Sequence, residues 1–167
     1  MSSRTAAVIS EASFAITMTH TFPILALSGF VDTLRHAADD DNMNRQIYCT
    51  WKLCGPDKSP ITSSAGIQVY PDTLFSELAQ PDFMVIVGGL MPYIDQVPAA
   101  TLKMLRDYHA SGGTVVGLCT ASFILAQAGL LYKKKAVVHH RHRLDFVKRY
   151  KDVQVSSRDI FVEDDRV

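Results

Sequence analysis

The 167-residue chain is 47% hydrophobic and 20% charged. That is the make-up of one globular domain, and it excludes a disordered tail, a collagen-like repeat and a coiled coil. Lys+Arg and Asp+Glu both total 17, and a formal charge of zero argues against a globally basic nucleic-acid binder.

Residues 1–12 are small and polar with little periodicity and read as a tail. Ser13–Thr19 alternates weakly and predicts a strand. A helix is expected from about Pro23 to Ala38, because proline suits a first helical turn, where its missing N–H has no partner to lose. Asp39-Asp40-Asp41 should close that helix in a solvated loop. Arg45–Leu53 alternates, is rich in β-formers and predicts a second strand. Gly55–Gly66 is a loop or short hairpin, and Tyr70-Pro71-Asp72 opens a short helical stretch ending near Ala79.

Phe83–Val87 is a continuous apolar run, the pattern of a strand buried on both faces of a parallel sheet. Gly88-Gly89 follows it. Pro98–Ala110 reads as a helix with Leu102, Leu105 and Tyr108 or His109 on one face, stopped by Gly112-Gly113. Thr114–Leu118 is another buried strand, and Thr120–Ala128 a helix stopped by Gly129. Lys135–Val138 predicts a strand, residues 140–150 a basic helix, and Val153–Val155 and Ile160–Val162 short strands. The alternation predicts an α/β fold: a three-layer, doubly wound, mostly parallel sheet with helices on both faces.

Residues 133–151 carry eight basic side chains and one acid, Asp145. That stretch is +7 and the remainder is −7. Such a run is expected to be a solvated face or to meet an acidic partner surface. Three cysteines do not make a disulfide framework, and a reduced cytosolic compartment is the expected home. The apolar runs are far shorter than the roughly 20 residues a membrane span needs, so no membrane partner is expected. The N-terminus lacks a basic-then-apolar signal pattern, and Glu11 interrupts it.

Gly117-Leu118-Cys119-Thr120-Ala121 lies where an apolar strand meets a helix rich in small residues. This is the layout of a nucleophile elbow with Cys119 as the nucleophile. Small residues two before and two after suit a tight turn whose flanks approach closely. A cysteine at a helix start has its thiolate favoured by unsatisfied N–H groups and the dipole. Gly88-Gly89, beyond the other buried strand, would let the backbone approach the thiol, and with the N–H of Thr120 could form an oxyanion pocket. Gly88, Gly89 and Thr120 are therefore the candidate ligand-binding residues. His139-His140-x-His142 lacks a matching ligand pair at zinc spacing, so neither a metal nor another cofactor is expected.

The segments TFPILALSGFVDTLRHAAD (21–39), ITSSAGIQV (61–69), DFMVIVGGL (82–90), SGGTVVGLCTASFILAQAGLL (111–131) and AVVHH (136–140) carry a resemblance. Nearly the whole chain resembles the ThiJ/PfpI family of class I glutamine amidotransferase-like domains. Within it, the chain is most similar to the N-terminal sensor domain of AraC-type transcription regulators. The resemblance implies a flavodoxin-like fold and a site built on Cys119, His139 and Asp32. His139 lies 20 residues after Cys119, as in the parkinsonism-associated branch, and Asp32 falls on the first helix, where relatives usually have Glu near the sulfur.

Three departures follow. Peptidase-like members carry His directly after the Cys, where this chain has Thr120. Glutamine amidotransferases use a late His-x-Glu, absent here after Cys119. The isonitrile hydratase branch has a helix Asp at the position of Ala26. The resemblance therefore implies a ligand- or redox-sensing regulatory domain that binds a small-molecule effector and forms a homodimer. It would reach DNA only through a C-terminal helix-turn-helix domain beyond Val167. The alternative is a stand-alone enzyme, a cysteine-dependent hydrolase, hydratase or glyoxalase-like protein. Oxidation of Cys119 to sulfenic or sulfinic acid is the expected side chemistry.

Overall fold

A computed structural model of the chain describes residues 12–41, 43 and 45–167. The expected tail therefore lies outside the described residues, save Ala12, which already belongs to the first strand. In chain order the elements are β1 (Ala12–Met18), α1 (Ile24–Ala37), β2 (Cys49–Gly55), β3 (Ile61–Thr62), β4 (Gln68–Val69), β5 (Thr73–Leu74) and β6 (Phe83–Val87). Then come α2 (Ala99–Ala110), β7 (Thr114–Leu118), α3 (Ala121–Gln127), β8 (Lys135–Val137), α4 (Arg143–Arg149) and β9 (Gln154–Ser156).

The main sheet has the order β5-β2-β1-β6-β7, and every neighbouring pair in it is parallel. Its four longer strands run 2-1-3-4 in order of appearance, the flavodoxin-like winding. β3 and β4 form a small antiparallel hairpin, and β8 and β9 a separate parallel pair.

Period-two alternation sorts the strand side chains onto two cores. Ile16, Met18, Val85 and Val87 face α1 with Phe22, Leu27 and Leu34. Ala15, Met84, Ile86 and Val115 face the opposite side, against Leu105 and Tyr108 of α2, Phe123 and Ile124 of α3 and Phe146 of α4. Each fully buried large aliphatic or aromatic side chain contributes roughly 1.5–3 kcal/mol relative to exposure, and Ile16, Ile86, Leu105, Phe123 and Phe146 are all fully buried.

Five expectations need correction. The second strand begins at Cys49, not Arg45, because the chain before it is tied back: Ile47 and Tyr48 donate to the Ala38 carbonyl. Asp39 is not solvated. Its side chain is 1% exposed, and its carboxylate accepts from the backbone N–H groups of Met43 and Arg45. The stretch after Tyr70 holds β5 and one 3-10 turn, Phe75–Glu77, rather than a longer helical segment. Residues 160–162 form no strand; Ile160 is 96% exposed and Phe161 81%. The basic helix is split, a 3-10 turn at His140–His142 leading into α4. Among the described residues no helix is long and apolar enough to cross a membrane.

Candidate active site

The register sets the site. Met18 lies opposite Val87, and Val87 opposite Leu118, so β1, β6 and β7 end level with one another. The segments that follow them, Thr19–Thr21, Gly88-Gly89 and Cys119-Thr120, meet at this carboxyl edge, where doubly wound sheets hold ligands.

Cys119 has φ 59°, in the left-handed region. A side chain there costs roughly 1–3 kcal/mol of backbone strain. Close neighbours hold it. A Cβ on Gly117 would lie 2.7 Å from Leu125 Cδ1 and 3.3 Å from Ala121 Cβ. A Cβ on Gly88 would lie 2.4 Å from the Ala121 nitrogen. Gly88 is thus demanded by close approach to backbone, while Gly117 is crowded by the movable end of Leu125, and the turn is the elbow its spacing predicts. The thiol of Cys119 is exposed, whereas Cys49 and Cys54 are buried. Burial, and then the charge of Asp72, push the Cys54 thiol up to about 12.

Gly88 and Gly89 are clamped between the two neighbouring loops. The Gly88 N–H donates to the Leu118 carbonyl at 3.1 Å, so that N–H extends the ladder rather than facing the thiol. Thr120 Oγ1 donates to the Gly89 carbonyl at 2.6 Å. Leu90 N–H donates to Thr21 Oγ1 at 3.0 Å. These residues brace the elbow from behind.

In front of it lies a cavity of about 400 Å³ whose lining includes both Cys119 and His139. Ser122 of α3 and Lys135, at the start of β8, add polar groups, and Leu125, Leu131 and Val138 form an apolar floor. Residues 157–162 build the outer wall, with Asp159 among them. His139 Nδ1 accepts from the Arg141 N–H at 3.3 Å. Desolvation of the ring, reinforced by His140, His142 and Arg141, holds the His139 pKa below the usual histidine value. His139 is therefore mainly neutral near pH 7 and can accept a proton.

Asp32 is not part of this cavity's lining. It is exposed on α1, where its Oδ1 accepts from Arg35 Nε at 2.7 Å and its Oδ2 lies 3.9 Å from His36. The Arg35 hydrogen bond and charge hold its carboxyl below the usual range. Sequence reasoning passed over Ser122 and Asp159, and weighed Lys135 only within the basic run and His140 only as a metal candidate, not as cavity residues. Ser122 carried a usable signal, being three residues past Cys119 and so on the helix face above it. The others come from segments far from the elbow in sequence. Among the described residues no group of three or more His, Cys, Asp or Glu is placed to hold a metal ion.

A parallel flavodoxin-like sheet ending in a strained cysteine elbow defines a class of α/β domains with a thiol at the carboxyl edge. The profile of the DJ-1/PfpI family matches residues 40–167, and the chain belongs to that family. It is 26% identical over 145 residues to the HTH-type transcriptional regulator CdhR of Pseudomonas aeruginosa, covering 87% of this chain and 43% of that protein. It is 33% identical over 117 residues to an isonitrile hydratase of Pseudomonas putida, covering 69% of this chain and 46% of that protein. The chain thus spans less than half the length of either relative. The fold is also that of an AraC family transcriptional regulator from Pseudomonas putida, with TM-score 0.71 at 21% identity, over 87% of this chain and 76% of that one.

Proposed function

We propose that this domain is the effector-sensing part of an AraC-type transcriptional regulator, with a small molecule binding in the cavity beside Cys119. The observation that carries the reading is the division of the expected site. Cys119 and His139 share a ligand-sized cavity, while Asp32 faces solvent on α1 and is engaged by Arg35. A nucleophile and a neutral base without the acid that would orient the base form a receptive pocket more readily than a complete catalytic set. Similarity to CdhR supports the regulatory reading. DNA contact would fall to a separate helix-turn-helix domain, and the protein would act in the cytoplasm.

The experiment is a turnover assay with isonitrile, amide and 2-oxoaldehyde substrates, run beside Cys119→Ala. The expected result is no Cys119-dependent turnover. Filling the cavity with Ser122→Trp should at the same time abolish the thermal shift given by any small molecule that binds the wild type. Robust turnover lost in Cys119→Ala would overturn the sensor reading.

A second reading has its own support. The exposed thiol beside a neutral histidine, with 33% identity to an isonitrile hydratase, favours a cysteine-dependent enzyme. A covalent adduct formed at Cys119 by a substrate-derived probe and then released by water is its expected signature.

A further inference from the structure

A second cavity, of about 230 Å³, lies at the carboxyl edge of the sheet and shares no lining residue with the cavity beside Cys119. Thr19 and His20, beyond β1, form one side, Pro56 and Asp57, beyond β2, another, and Pro98 and Thr101, at the start of α2, a third. The winding of the sheet creates this place. α1, which follows β1, packs on one face, and α2, which follows β6, packs on the other. β1 and β6 are neighbours, so the connections part between them and leave a crevice beyond the strand ends. That switch point is where doubly wound sheets take ligands.

The polar groups of the wall are of two kinds. Thr101, in the first turn of α2, is only 3% exposed, yet its hydroxyl has no hydrogen-bond partner among the described residues. It is not sealed from solvent as Thr17 Oγ1 is, so it opens onto the cavity that it lines. A hydroxyl held in that way is a donor and an acceptor in want of a partner. Thr19, 7% exposed, donates to the Val87 carbonyl at 3.2 Å and keeps its oxygen lone pairs for acceptance. Asp57 stands at the exposed rim, where its Oδ1 accepts from the Ser59 N–H at 2.7 Å. The backbone and side chain of Ser59 hold its carboxyl below the usual range, so it is an ionised acceptor at neutral pH. The rings of His20 and Tyr93 meet edge to face at 5.5 Å and add an apolar surface to that of the prolines.

These groups select a ligand chemistry. A phosphate or carboxylate would meet Asp57 with no Lys or Arg among the described lining residues to offset it; Lys58 is engaged by Glu77 and the Asp72 carbonyl. An ammonium set against the buried threonines would exchange its hydration for neutral partners, a costly transfer. A hydroxyl both donates and accepts and is far cheaper to bury. We infer that this cavity is a second ligand site, for a small neutral polyol. Its hydroxyls would engage Thr101, Thr19 and Asp57, and its C–H face would lie on the rings and prolines. The volume falls below the roughly 300–1,000 Å³ of drug-sized pockets, which holds the ligand to about the size of a monosaccharide. The site is separate from Cys119 and does not rest on the sensor reading.

The test titrates the full chain with ribose, glucose and myo-inositol and follows the backbone amides by NMR, with sodium phosphate and methylammonium chloride as comparison ligands. The expected result is saturable shifts at Thr19, His20 and Thr101 from at least one polyol, with Kd about 1 mM or tighter, and none at Ser122 or His139. Thr101→Val removes the hydroxyl and keeps the shape, and should raise that Kd about 5-fold or more. Thr101→Ser should restore it. Asp57→Asn, at the exposed rim, should weaken binding by a similar factor and reads the same site should Thr101→Val disturb the fold. Ser122→Trp, which fills the other cavity, should leave polyol binding here unchanged. Absence of saturation by all three polyols would overturn the inference, as would binding indifferent to both Thr101→Val and Asp57→Asn. Tighter binding of phosphate or methylammonium at the same amides would overturn the ligand class, and polyol shifts at Ser122 and His139 instead would overturn the site.

Discussion

Two residues at the carboxyl edge of the sheet share a left-handed backbone and use it in opposite ways. Thr21, beyond β1, has φ 62°, and Cys119, beyond β7, has φ 59°. Thr21 is buried, and its polar groups are tied down. Its N–H donates to the Thr62 carbonyl at 2.8 Å, and its hydroxyl donates to the His20 carbonyl while accepting from Leu90 N–H. Cys119 is exposed, and its thiol has no hydrogen-bond partner among the described residues. One strained turn is locked by hydrogen bonds from its own side chain. The other is locked by neighbours too small to get out of the way, Gly88 and Gly117, which leaves the thiol free for chemistry or for a ligand.

The largest effect should come from removing that sterically built lock. Gly88→Ala would force a methyl against the Ala121 nitrogen and the Thr120 backbone, and a loss of about 2–3 kcal/mol in urea unfolding is expected. Next comes the contrast itself. Thr21→Val leaves the Leu90 N–H without its acceptor, in a part-buried site, and should cost about 1–3 kcal/mol. Cys119→Ala should stay within about 0.5 kcal/mol of wild type. Equal losses at the two positions would break the comparison.

Thiol chemistry sharpens it further. A disulfide reagent at neutral pH should modify Cys119 in the folded protein, while Cys49 and Cys54 react only on unfolding. Cys54, pushed up to about 12, carries almost no thiolate at that pH. Mass mapping of the labelled peptide checks which cysteine reacts first.

The smallest effects are in pH. The His139 ring should titrate below about 6.5 by NMR, because ring desolvation and its positive neighbours both oppose the proton. Folding stability linked to it is full above that value and falls as the pH drops through it, since the unfolded chain then binds the proton more readily. Asp39 acts in a lower window. Backbone hydrogen bonds, first from Arg45, hold its carboxyl below the ordinary range. Its contribution is present above about pH 4 and is lost as the pH falls toward the folded value. Asp39→Asn should flatten the stability slope in that window, as read from unfolding curves at successive pH values.

Much of the fold was legible because it rests on short-range rules. Phe83–Val87 and Thr114–Leu118 are strands over the expected residues, but only the first is buried along its length, from Met84 on; β7 lies at the sheet edge with Val115 alone buried, so its expected burial is corrected. Pro23 and Pro98 stand at the starts of α1 and α2 as expected. The elbow was legible for the same reason, because small residues such as Gly117 and Ala121 suit a tight turn only a few residues long. The run 160–162 misled, because its β-forming residues look like a strand and nothing local shows that no partner strand awaits them. Asp39 misled in the opposite direction. An aspartate run looks solvated, and only the return of the chain through Met43 and Arg45 reveals a carboxylate satisfied by backbone N–H groups.

The sequence by itself determined the parallel α/β sheet and the cysteine at its strained turn, since hydrophobic period and glycine-sized contacts act over a few residues. The company Cys119 keeps was decided only by the tertiary structure. The packing of residues 157–162 against the β8 end puts Asp159, Lys135 and His139 around one cavity. The helical rise of α1 carries Asp32 away to Arg35. Those placements depend on how distant segments close over the sheet, and no local pattern encodes a contact between side chains that far apart in the chain.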